Sequence, residues 1–156
     1  MRVKKRRNIA LMAFSLGTLL SAPSIAADAP TQFLIGQEWT VKSSSNDVPT
    51  SLHVVIVKIE QSNGQAIVHV SLTGIRCPNG NTVSLGHAPV DAKALSASVD
   101  RVVATGVPPV RGFAESYANW KAERGGSFSV SVPEIAAELL QEVGSEKIGC
   151  LNQPGP

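Results

Sequence analysis

The chain predicts an α+β fold: an antiparallel sheet of four to six strands, two or three helices packed on one face, and a single disulfide. Three observations carry this. Val/Ile-rich runs at 51–61 and 65–73 flank Ser62-Asn63-Gly64, and Asn-Gly is a favoured pair for a two-residue type I′ hairpin turn. Segments near 91–98, 112–124 and 133–143 place apolar residues at helical spacing between capping and breaking residues. Cys77 and Cys150, the only cysteines, both sit in Gly/Pro-flanked loops of a chain that opens with an export leader.

That leader comes first in the chain. Arg2, Lys4, Lys5, Arg6 and Arg7 are followed by the apolar run Ile9 to Ala22, and Ser24-Ile25-Ala26 then has small residues at the first and third positions. These are the n-region, h-region and cleavage site of a secretory signal. An uncleaved anchor is the competing reading, but a membrane span needs about 20 apolar residues, and Pro23 interrupts a shorter run. The style is bacterial, so the expected location of the mature chain is periplasmic or secreted. Cleavage also changes the charge. Five of fourteen cations and none of the twelve acids precede Ala26, so a formal +2 becomes nine cations against twelve acids, or −3. A mildly acidic surface has no general attraction for phosphate backbones, which excludes nucleic acid as an expected partner. After cleavage no membrane span is expected. Residues 27–156 read as a single α+β domain.

The elements of that domain follow in order. Residues 27–36 are a lead-in broken by Pro30 and Gly36. Glu38 to Lys42 is a candidate strand with Trp39 and Val41 on one face, and 43–49 is a polar loop. In the hairpin, Ser62 opposite Gln65 sets Ile59 against Val68, Val57 against Val70 and Val55 against Leu72 on the core face. Glu60 then opposes Ile67, Lys58 opposes His69, and Ile56 opposes Ser71 on the other. A one-residue slip would exchange the faces. That second face also holds Val54 and is too apolar to be wholly solvated, so another strand layer, the N-terminal segment or a partner is expected to cover it.

Cys77 to Asn81 is a tight turn, 82–85 a short strand, and 87–89 a loop. Asp91 is placed to cap a helix through Ser98 that turns Ala92, Leu95 and Val99 inward. A brief strand at 102–105 precedes the Pro108-Pro109 break. The next helix, about 112–124, presents Phe113, Tyr117 and Trp120 at i, i+4, i+7 and ends at Gly125-Gly126. Ser127 to Val132 alternates as a half-buried strand. Ser131-Val132-Pro133-Glu134 has the form of a capping box, opening a helix with Ile135, Leu139, Leu140 and Val143 inward before Gly144.

The candidate chemistry is sparse. A Cys77–Cys150 disulfide suits an oxidising compartment and would stabilise the fold by about 4 kcal/mol in the chain-entropy model. Free thiols are the alternative, and without a C-x-x-C spacing a redox motif is not expected. His53 and His69 fall on opposite faces in the expected register, with no carboxylate at ligand spacing beside either, so no metal is expected. His87 between Gly86 and Ala88-Pro89, with Tyr117 and Trp120, whose polar tips suit a wet rim, are the candidate binding residues. The aromatic stripe's plainer role is to dock its helix on the sheet. There is no G-x-S-x-G, S-x-x-K, Walker loop or G-x-G-x-x-G, so no catalytic set is nominated and no cofactor is expected. The sequence therefore points to an exported binding or accessory domain acting on an unknown protein or cell-envelope ligand. Two alternatives stand beside it: a small periplasmic hydrolase using His87 with a carboxylate that folding brings near, and a subunit of a cell-envelope assembly.

Overall fold

A computed structural model describes residues 32–42, 51–62, 64–142 and 150. The residues expected to form a leader and a 43–49 loop, together with Asn63, Val143 and Gly144, lie outside the described residues.

Five strands form one antiparallel sheet: β1 (Glu38–Val41), β2 (His53–Ser62), β3 (Gln65–Arg76), β4 (Thr82–Asp91) and β5 (Val99–Ala104), in the order β4-β3-β2-β1-β5. Three helices accompany it: α1 (Ala92–Ser98), α2 (Phe113–Ala122) and α3 (Val132–Glu142). Cys77 and Cys150 form a disulfide, and Asn79 Nδ2 donates to the Cys150 carbonyl.

The hairpin register holds from Ser62↔Gln65 to Lys58↔His69 and then shifts, because Val57 is an extra residue and Ile56 pairs with Val70. This β-bulge inverts every side chain on the N-terminal side of it. The buried core face therefore carries Val54 and Ile56 together with Val68, Val70 and Leu72. Val55, expected on that face, pairs with Ser71 on the other. His53, Lys58, Glu60 and His69 all lie on this second face, so His53 and His69 share a face after all. Each also has an acid at hand: His53 Nδ1 lies 3.0 Å from Glu38 Oε1, and His69 Nε2 lies 3.7 Å from Glu60 Oε2.

Helices α1 and α3 pack on the core face through Leu95, Val132, Ile135 and Ala136. Helix α2, expected on the core face, instead lies on the opposite face, over His69 and His87. The sheet is coiled as well. Flat, its outer strands would stand about 19 Å apart, yet the seven-residue α1 that joins β4 to β5 rises only about 10 Å. Register shifts in β1–β5, β2–β3 and β3–β4 supply the bending.

Several local expectations change. Residues 87–89 belong to β4, which runs on to Asp91; β4 is an edge strand, where proline's missing N–H is tolerated. Asp91 precedes α1 but makes no side-chain cap, because its Oδ1 accepts a hydrogen bond from Ser127 Oγ. Residues 127–132 form no strand. Phe128 alone makes a parallel bridge to Val90, and Val132 already starts α3. There the capping box is formed: Ser131 N–H and Oγ donate to Glu134 Oε2 at 2.8 and 2.6 Å.

Candidate functional site

The bulge and α2 together assemble a polar cluster on the second face. His69 stands opposite Lys58 on β2 and opposite Pro89 on β4. A shift between Val70 and Leu72 in the β3–β4 ladder brings His87 alongside it. Gly86 lets α2 begin close to β4: a Cβ there would lie 3.0 Å from the Arg111 carbonyl and 3.2 Å from Phe113 N. Helix α2 then lays its aromatic stripe over the histidines. Phe113 meets the His87 ring edge-on at 5.3 Å, Tyr117 meets His69 at 5.0 Å, and Trp120 meets His69 at 4.7 Å. The stripe thus docks the helix on the sheet, and it places His87, Tyr117 and Trp120 in one cluster.

Glu60 and His69 complete the cluster; sequence reasoning weighed His69 only as a metal ligand and did not nominate Glu60. Tyr117 donates its hydroxyl to Glu60 Oε1. Lys121 and Lys58 approach the same oxygen at 3.4 and 3.5 Å. The Tyr117 hydrogen bond chiefly, with Lys121, holds Glu60 below the usual carboxylate range against the opposing effect of burial. His69 is 0% exposed. Its Nδ1 lies 3.0 Å from His87 Nε2, while its buried Nε2 makes no hydrogen bond. Desolvation holds His69 below the ordinary imidazole range despite Glu60. Desolvation, then the neighbouring His69, pushes His87 down to about 4. Both rings are neutral at pH 7.

The tautomers that suit these contacts put a hydrogen on His69 Nε2, facing the Glu60 carboxylate. His69 Nδ1 is then the acceptor for His87 Nε2–H. His87 Nδ1 is left with its lone pair and makes no hydrogen bond to a described residue. Chemically, the row Glu60–His69–His87 is able to take a proton at His87 and pass positive charge inward toward Glu60.

Beside this cluster lies a cleft of about 510 Å³ between the tip of the β2–β3 hairpin and the end of α2. Glu60, Gln65, Ile67, Trp120, Lys121 and Arg124 line it, together with the 125–127 loop. That loop is fitted to Trp120. The indole Nε1 donates to the Gly126 carbonyl at 2.8 Å, and a Cβ on Gly125 would lie 2.2 Å from Trp120 Cδ1. A smaller depression of about 340 Å³, walled by Pro89, Trp120 and Phe128, shares Gly126 and Ser127 with the first. Trp120 therefore lines both depressions, whereas neither is lined by His87. Among the described residues no group of three or more His, Cys, Asp or Glu could hold a metal ion, and no helix is long and apolar enough to cross a membrane. Comparison with protein-family models, curated proteins and solved structures finds no match to this chain.

Proposed function

We propose that the chain is an exported binding domain, periplasmic or secreted, whose ligand sits in the cleft over Trp120. One observation carries the reading. The cleft wall is preformed, with Trp120 locked between His69, the Gly126 carbonyl and Gly125. Its volume falls within the roughly 300–1,000 Å³ usual for small-molecule sites. Export rests on the leader and agrees with the Cys77–Cys150 disulfide. The test is an NMR screen of the mature protein against peptides, sugars and small organic ions. Ligand-induced shifts are expected to cluster at residues 60–67 and 120–128. Reproducible binding that shifts only residues elsewhere would overturn the reading.

The His69–His87 pair favours a second reading, the hydrolase. His87 would be its general base, with positive charge delivered to His69 beside Glu60. Ser71, on the same face, is not available as nucleophile: its hydroxyl donates to the Gly86 carbonyl at 2.6 Å and accepts from Val110 N–H at 3.2 Å. Water would have to attack. Hydrolysis of an ester or peptidoglycan substrate that His87→Ala abolishes would establish this reading over the first.

A further inference from the structure

Building on the cleft reading, we propose that the two depressions are one groove for an amphipathic anion, with a carboxylate or phosphate head at Arg124 and Lys121 and an apolar or aromatic body against Trp120 and Phe128. Three observations converge. The depressions adjoin, sharing Trp120, Gly126 and Ser127 in their linings, and they differ in chemistry. The larger holds Lys121, Arg124, Gln61 and Gln65; the smaller is walled by two aromatic rings and a proline.

Charge is the second observation. Among the residues lining the cleft, Lys121 and Arg124 stand against a single carboxylate, Glu60, which Tyr117, Lys58 and Lys121 already engage. Asp91, behind Ser127, is occupied by that serine's hydroxyl, and Glu123 does not line the cleft. A local cationic excess thus stands in a mature chain of formal charge −3. No acid pairs with Arg124 among the described residues.

The third is the backbone of Arg124, at φ 53°, the positive-φ residue other than glycine among those described. It occupies the left-handed position after α2, where glycine is the favoured residue, although glycines follow at 125 and 126. A side chain kept at a position that disfavours side chains points to use of that side chain. Phe128 adds the apolar end, a large aromatic left 37% exposed beside Trp120. A cavity of about 150 Å³ holds benzene, so the smaller half has room for a ring and a short linker.

The experiment compares four probes on the mature protein by NMR titration: 3-phenylpropionate, its neutral amide, acetate, and 2-phenylethyl phosphate. The carboxylate is expected to bind at least tenfold more tightly than either the amide or acetate. The phosphate arm identifies the preferred head, and tighter binding by either anion supports the proposal. Arg124→Gly is expected to melt at or above the parent temperature while losing the preference for acid over amide. Phe128→Ser is expected to weaken the phenyl anions and leave acetate unchanged. If the amide shifts residues 60–67 and 120–128 with the same affinity as the acid, the anion proposal fails and the cleft reading stands. If all the probes bind and shift only residues elsewhere, both fail. Unchanged binding in both variants also overturns the proposal.

Discussion

Acidification should loosen this protein through the His69–His87 pair, and the size of the effect follows from the surroundings of the two rings. His87 is pushed from 6.5 to about 4, chiefly by desolvation and then by His69. Between those values the unfolded chain binds a proton that the folded chain refuses. Stability therefore falls as pH drops from about 6.5 to about 4, and it is fully retained above that window. The shift corresponds to about 3.4 kcal/mol at most. His87 is only half-buried, so solvent screening reduces this to about 1.5–2 kcal/mol, or about 5 °C in melting temperature for a domain of this size. His69 is shifted in the same direction and adds to the loss. Glu60, whose folded value is depressed, contributes stability that is lost only as pH falls further through that value. The assay is urea denaturation from pH 7 to pH 4 on the parent and on His87→Gln, with NMR titration of the imidazole signals. The variant should show the shallower pH dependence. Equal slopes in the two proteins, or a His87 resonance titrating near 6.5, would refute the reasoning.

Three further outcomes are expected. Gly125→Ala should destabilise by about 2–3 kcal/mol in urea denaturation, because its Cβ would overlap Trp120 and break the bond to Gly126; Gly126→Ala, with nothing within 4 Å of its Cβ, should stay within about 0.5 kcal/mol. Cys77→Ser should lower stability by about 4 kcal/mol, and reductant should then have no further effect on the variant's denaturation midpoint. Ser131→Ala should remove about 1 kcal/mol by dismantling the α3 capping box, measured as a lower melting temperature.

What could be read in advance follows the range of the interactions. Asn63-Gly64 is a local signal, and it correctly set the pairing from Ser62 to Lys58. The bulge at Val57 left no mark, because Val54-Val55-Ile56-Val57 is apolar at every position and period-two alternation cannot assign its faces. His87, Tyr117 and Trp120 could be nominated one by one from flanking residues and helical spacing. Glu60 and His69 could not, since Tyr117 reaches Glu60 across 57 residues of chain and His69 meets His87 from a neighbouring strand. The strand expected to end before His87 continues through Pro89 because β4 lies at an edge, and edge status is a property of the whole sheet. Arg124 was hidden by Gly125, the residue that sequence rules would choose for the left-handed turn.

The short helix joining the two outer strands also bears on the order in which the molecule is built. The β2–β3 hairpin closes locally, but β5 pairs with β1 across about sixty residues, as in Trp39↔Val102. Contacts that close long loops form slowly. β5 docks on β1, and because α1 is short, β4 and β5 can hold their places together only in a coiled sheet. The far edge therefore reports on the near one. With both edges seated, β4 and β5 constrain each other through α1, so loosening either one removes a constraint on the curvature of the whole sheet.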